Sequence, residues 1–323
     1  MTTSMPRRAA MALGLAPLAA HAQPAWPERP VRIIVPFPGG STPDTAARVL
    51  APHFAEAFGQ PFVVENRAGA GGNIGTDAVA KATDGHTLGV SINGPLATAP
   101  ALFANLSYDP VRDLAPISLL VRTGQVLAVH PSVPAQNFEQ FVAHARANPG
   151  RIAFGSVGAG SGGHLAMVDL MARTGTEMVH VPYRGFPQAV VDLLAGRIQA
   201  IIIITSGILP QLREGLARPL AVTAEARVPQ LPDVPTLVES GLLGADSYAW
   251  IGLIGPASLP PERVARLSAE AQRALAAPEA RGRLENAGFQ VTASTAPEFR
   301  DFIAAEAARW GGLIRRQGIQ PES

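Results

Sequence analysis

The 323-residue chain contains no cysteine. That excludes disulfide staples, a thiol nucleophile and cysteine-based metal sites. A chain of this size can bury enough surface to fold without cross-links. It has a single lysine, Lys81, so nearly all its positive charge is arginine, a bias of composition more than a sign of binding. The 26 basic and 25 acidic side chains nearly cancel, with no basic stripe to track nucleic acid and no acidic tail. The seven histidines are scattered without H-x-x-x-H or similar spacing, so neither a metal nor any other cofactor is implied. No segment reaches ~18 uninterrupted apolar residues, which leaves no candidate membrane span.

What is present begins with an export pattern. Arg7 and Arg8 form a basic start, Ala9 to Ala19 an apolar stretch, and Ala20-His21-Ala22 a small-x-small cleavage site. Residues 1–22 therefore read as a signal peptide for the general secretion route. Their removal leaves 24 basic side chains against 25 acidic. The expected protein is exported.

Beyond the leader, short apolar runs alternate with helical stretches. Strands are expected at 31–35, 62–65, 87–92, 117–121, 125–130, 152–156, 178–182, 199–204, 219–223 and 250–255. Helices are expected at 43–58, 74–81, 137–147, 163–173, 187–195, 262–276, 279–287 and 297–317. Such alternation predicts an α/β fold with a mostly parallel sheet. Gly59, Gly150, Gly175, Gly196 and Gly288 stand just past helical segments, as helix stops do. The run Ile201 to Ile204 lacks any alternation and predicts a strand buried on both faces. The Pro-rich piece 229–235 reads as the one linker-like segment of the mature chain, and no internal repeat is visible.

Three glycine-rich turns carry the chemistry. The first, Pro36 to Ser41, joins a strand to a helix with Thr42, Pro43 and Asp44 in its opening turn. The second runs from Asn66 to Gly75, and the third from Gly155 to His164. A strand end, a glycine turn and a helix N-terminus together present backbone N–H groups to an anion. In open α/β sheets ligands bind beyond the carboxyl ends of strands, so the three turns could converge on one small anion. Gly158, Gly160 and Gly163 fit G-x-G-x-x-G, but the next strand ends in Val181-Pro182-Tyr183-Arg184 with no acid for a ribose. Residues 159–163 loosely resemble a nucleophile elbow around Ser161, yet His164 is a sequence neighbour and no late Asp–His pair follows. Ser156 and Ser161 are neutral donors that suit reversible binding of a carboxylate, and His164 either donates to one as well or is a helix-start histidine with no ligand. Asp44 is either a partner for the helix dipole or a contact for a ligand amine. Asn93, before Gly94-Pro95, is either a turn residue or a ligand donor.

Taken together, these motifs resemble the Bug-type periplasmic substrate-binding proteins of tripartite tricarboxylate transporters. The likeness runs from Trp26-Pro27 and Pro30 to Phe37, through Glu65-Asn66-Arg67, Gly69 to Gly75 and Asp84 to Leu88. It continues through Tyr108-Asp109-Pro110, Asp113 to Ile117, Gly160-Ser161 and His164-Leu165. It ends with His180 to Gly185, Leu231 to Thr236 and Trp250 to Leu253. Arg184 stands where that family usually has lysine, and Gln199 with Ile202 replaces its Val-Asp-x-x-Phe pattern.

The resemblance implies a two-lobed, type II-like binding protein, each lobe a mostly parallel sheet flanked by helices with the ligand cleft between them. Lobe one would comprise 23–123 plus 225–323, and lobe two 124–224. It implies capture of a di- or tricarboxylate, an acidic amino acid or an aromatic acid. The ligand would then pass to integral membrane transporter subunits in a transient encounter. The binding protein itself would be a monomer with no enzymatic activity. The residues it points to are Phe37, Gly40, Ser41 and Asp44, and Gly72, Asn73, Ile74 and Gly75, to which Asn93 is added as a candidate from its own turn. From the other lobe come Ser156, Ser161, His164 and Thr205. A ligand-sensing role beside a signalling receptor is the alternative, and an exported serine hydrolase using Ser161 the more distant one.

Overall fold

The structure is a computed structural model that describes residues 26–321; the expected leader at 1–22 lies outside the described residues. The first half of the chain forms β1 (Val31–Val35), α1 (Thr42–Phe58), β2 (Phe62–Asn66), α2 (Asn73–Ala80), β3 (Thr87–Ile92), α3 (Ala99–Leu102) and β4 (Leu114–Val129). The middle forms α4 (Phe138–Ala147), β5 (Ala153–Ser156), α5 (Gly162–Thr174), β6 (Val179–Pro182), α6 (Phe186–Leu194), β7 (Ala200–Ile204), α7 (Leu209–Arg213) and β8 (Arg218–Val222). The last part forms β9 (Tyr248–Pro256), α8 (Pro261–Ala276), α9 (Pro278–Asn286), β10 (Gln290–Val291) and α10 (Ala296–Gln317).

One curled strand path, β2-β1-β3-β9-β4-β7-β5-β6, runs through the molecule, with β8 and β10 pairing to β4 off the path. The outer strands are parallel, as the alternating pattern predicts: β1 with β2 and β3, and β5 with β6 and β7. The centre is antiparallel, because β4 and β9 run against one another and against the strands they join. β4 is the spine. Its first half, through Gly124, pairs with β9, and its second half, from Gln125, pairs with β7 and β8. Two sheets thus share one strand and define two lobes.

The expected strands 117–121 and 125–130 leave a gap at 122–124 where the structure has none. Gly124 stays in register opposite Tyr248, so the two expected strands 117–121 and 125–130 are one. A second crossing lies beside it. The Thr223 hydroxyl donates to the Ser247 carbonyl (2.6 Å) and accepts from the Gln125 N–H (3.0 Å), tying the end of β8 to β4 and to the entry of β9. The Thr205 hydroxyl donates to the Gly124 carbonyl (3.2 Å), pinning the end of β7 to the same point.

Helical faces complete the cores. In the first lobe, Val49, Leu50 and Phe54 of α1 pack with Ile33, Val35 and Leu120. In the second, β4 and β7 are buried on both faces. Leu127, Val129 and Ile202 face one cluster, while Val126, Ala128, Ile201 and Ile203 face the other. That double burial accounts for the isoleucine run, each side chain contributing about 1.5–3 kcal/mol of transfer free energy. The Pro-rich stretch near 229–235 is tucked in rather than free, with Leu231 and Val234 in the second of these clusters. The C-terminal helix α10 begins with a complete capping box between Thr295 and Glu298. It then reaches across, and its Trp310, Leu313 and Ile314 pack with Leu102, Leu165 and Val168.

Candidate ligand cleft

The first turn is held from behind by Asp44. Its Oδ2 accepts from the Gly40 N–H and from Arg48 Nε, both at 2.9 Å, and its Oδ1 accepts from Asn66 Nδ2 at 2.9 Å. Asn66 also donates to the Phe37 carbonyl, so β2 buttresses the turn after β1. The hydrogen bond from Arg48, first among several donors, holds the Asp44 carboxyl down at about 2. Gly40 adopts a left-handed φ of 81°, which lets the chain reverse into Ser41, the residue preceding α1. The Ser41 hydroxyl is buried and hydrogen-bonds nothing among the described residues.

The second turn is built almost wholly of left-handed residues: Gly69, Ala70, Gly71 and Gly72 all have positive φ. Gly72 is packed so closely that a Cβ there would stand 2.9 Å from Pro95 Cγ and 3.0 Å from Phe37 Cζ. Phe37, Gly72 and Pro95 therefore form one wall. Asn73 accepts from the Tyr108 hydroxyl (2.9 Å), which fixes the start of α2. Gly75 lies against Pro36, where a Cβ would come within 2.7 Å of backbone, whereas Ile74 is 55% exposed.

The third turn repeats the plan of the first with different chemistry. Ser161 precedes α5 and its hydroxyl accepts from the His164 N–H (3.4 Å). His164 Nδ1 accepts from the Gly160 N–H (3.1 Å), so the ring carries its proton on Nε2. Burial, and then the neighbouring His180, push the His164 imidazole down to about 3, so it is neutral at physiological pH. The two imidazole rings lie 4.1 Å apart beside Phe154. His180 Nε2 meets the Ser156 hydroxyl at 2.6 Å, and that hydroxyl also accepts from the Gly158 N–H.

Between the turns is a cavity of about 430 Å³ lined from both lobes. Phe37, Gly69 and Gly72 form one side; Val157, Pro182, Tyr183 and Arg184 form the other. Of the residues expected from sequence, Phe37 and Gly72 line this cavity directly. Gly40, Ser41, Asn73, Ile74 and Gly75 build the two turns of the same lobe, with Asp44 behind them. Ser156, Ser161 and His164 build the opposing turn, and Asn93 lies against its helix, its Nδ2 being 3.4 Å from where a Gly162 Cβ would stand. Thr205 is engaged at the crossing point.

Two residues outside that set stand out. Arg184 is exposed on the cavity wall and makes no hydrogen bond or ion pair among the described residues, so its guanidinium is uncommitted. Gln125 is 2% exposed, and its Oε1 is buried without a partner. The position of Arg184 after a strand end signals the former; nothing local signals the latter. Tyr183 beside Arg184 donates to Asp192 (2.8 Å), and burial helps raise its hydroxyl to about 12. It stays a neutral wall residue.

Known proteins place this geometry. Residues 46–319 match the family described as tripartite tricarboxylate transporter family receptor. Protein BugT of Bordetella pertussis is 37% identical over 297 residues, covering 91% of each chain. The structure of R. palustris Rpa4515 with adipate superposes with a TM-score of 0.82 at 33% identity, over 92% of this chain and all of that one. MatC of Rhodopseudomonas palustris with bound malate gives 0.77 at 32% identity, over 90% of this chain and all of that one. The chain belongs to the tripartite tricarboxylate transporter receptor family, a family of periplasmic solute-binding proteins.

Proposed function

We propose that this chain is a periplasmic solute-binding protein that captures a small organic carboxylate in the cleft between its lobes. It then presents the loaded form to integral membrane subunits of a tripartite tricarboxylate-type transporter. The observation that carries the reading is the cavity lined by glycine turns of both lobes with one uncommitted guanidinium, Arg184, on its wall. Backbone N–H groups at helix starts bind an anion without a formal counter-charge, and one arginine adds a charge-assisted partner. The adipate and malate held by the two relatives fit the same ligand class.

The lobes divide at the crossings, with 23–123 plus 225–323 forming lobe one and 124–224 lobe two. The change of partners along β4 between Gly124 and Gln125 supports the first boundary. The Thr223 bridge supports the second. Closure is a rotation about these two points, and the protein works as a monomer. Hydrolysis by Ser161 finds no support in the geometry, since its hydroxyl accepts from a backbone N–H and His164 Nδ1 is occupied by Gly160.

The test is a thermal-shift panel of organic acids on mature protein that has been unfolded and refolded to strip carried ligand. An acid at ~100 times its dissociation constant adds roughly 2.7 kcal/mol, a rise of several degrees at this size. Arg184→Ala should weaken the responding acid by about tenfold. A flat panel would overturn the carboxylate reading.

A further inference from the structure

Asn93 and Gln125 are the two amide side chains in the interior between the lobes, and neither makes a side-chain hydrogen bond among the described residues. Asn93 follows β3 of the first lobe and is 7% exposed; Gln125 opens the second half of β4 and is 2% exposed. Both face the start of α5. A Cβ built on Gly162 would stand 3.4 Å from Asn93 Nδ2, 3.6 Å from Gln125 Oε1 and 3.7 Å from Gln125 Nε2. A Cβ on Gly163 would stand 3.7 Å from the same Nε2.

Burying a carbonyl oxygen without a donor is costly, so an orphan in a native interior marks a place where something else arrives. The N–H groups of Gly162 and Gly163, the first two of a 13-residue helix, have no acceptor among the described residues. They can take a carboxylate, but a carboxylate has no proton to offer Gln125 Oε1. The orphan acceptor asks for a donor close to the anion. A hydroxyl meets both amides at once, donating to Gln125 Oε1 and accepting from Asn93 Nδ2. An ammonium would satisfy the first and confront the second with donor against donor.

We propose that Asn93 and Gln125 form a seat for a hydroxyl on the carbon next to the ligand carboxylate, so that the protein prefers 2-hydroxy acids to their unsubstituted counterparts. The seat rests on the carboxylate reading above. It also needs the lobes together, because Asn93 comes from one lobe and α5 from the other.

The test is calorimetry on ligand-stripped protein with matched pairs: succinate and malate, glutarate and 2-hydroxyglutarate, propionate and lactate, with aspartate as the amine arm. The expected result is a preference of about tenfold or more for the hydroxy member of whichever pair binds. That ratio should fall towards one in Gln125→Leu. It should fall equally in Gly162→Ala, whose methyl occupies the seat at ordinary contact distances and whose φ is not left-handed. If Gln125→Leu fails to fold, Gly162→Ala carries the test. Three results would overturn the seat while leaving the carboxylate reading intact. These are no hydroxyl preference in the wild type, an equal loss for both members of a pair in the variants, or tighter binding of aspartate than malate. Failure of every acid to bind would overturn both.

Discussion

The turns before α1 and α5 are the same device built twice, in different lobes and with different chemistry. Each has a left-handed glycine, Gly40 at φ 81° and Gly160 at φ 76°. A serine of nearly identical conformation follows each, Ser41 at −69°, 163° and Ser161 at −65°, 156°. In each, the third helical residue reaches back to accept the glycine's N–H: Asp44 at 2.9 Å, His164 at 3.1 Å. The difference is charge. Asp44 places a full negative charge at the start of α1 and so spends that helix dipole internally. His164 does the same mechanical work while neutral, and so leaves the positive end of α5 without a compensating charge. Pro43 at the second position of α1 also has no N–H, whereas Gly163 in α5 has one. On the carboxylate reading proposed above, the pair makes the second lobe the better prepared for the anion.

The comparison can be broken most severely at that second position. Gly163 packs against the Ile202 carbonyl, and a Cβ there would overlap it. Gly163→Ala should cost about 3 kcal/mol, because the obstacle is backbone in the middle of a buried strand. Its neighbour Gly162→Ala should cost almost nothing, and denaturant unfolding of the two variants side by side checks the contrast. Next is Asp44→Ala, which strips three donors of their acceptor and should lower stability by about 2 kcal/mol in the same assay. A further substitution exchanges the two chemistries. His164→Asp keeps an acceptor for Gly160 but charges the start of α5, and should weaken carboxylate binding by about tenfold, read by calorimetry. Unchanged affinity in that variant would place the anion elsewhere.

Much of this was legible in the sequence because turn chemistry is local. Gly40-Ser41-Thr42-Pro43 and Gly160-Ser161-Gly162-Gly163 specify a reversal and a helix start wherever they stand. The α/β alternation and the doubly buried isoleucine strand were equally local. Direction was not. Nothing in the spacing says that Asp44 and His164 turn back to hold their own loops, nor that Ser156 turns towards His180. The likeness of the two turns was hidden because Asp and His share a role only as hydrogen-bond acceptors. That the expected strands 117–121 and 125–130 are one was not legible, since the pairing of Gly124 with Tyr248 across more than a hundred residues leaves no local mark. Gln125 was invisible for the same reason: its significance lies in what Asn93 and α5 bring to it.

The difference in charge also separates the two anchors along the pH axis, by the smallest effect and the cleanest one. His164 is held down to about 3 when folded and regains an ordinary value near 6.5 when unfolded. Below about 6.5 the unfolded chain takes up a proton that the folded chain refuses, so stability falls as pH drops through that window. Asp44 is held at about 2 when folded against an ordinary value of 3.8, so its contribution is present above 3.8 and is lost only as pH falls towards 2. Between pH 7 and 5.5 the wild type should therefore lose about 1 kcal/mol through His164 and nothing through Asp44. In His164→Gln, which has no titrating group at that position, this loss should vanish. In Asp44→Asn the same loss should persist, with the flattening appearing only below pH 4. Denaturant midpoints at pH 7, 5.5 and 4 decide it, and a loss between pH 7 and 5.5 undiminished in His164→Gln would mean that another group, and not the anchor of the third turn, titrates there.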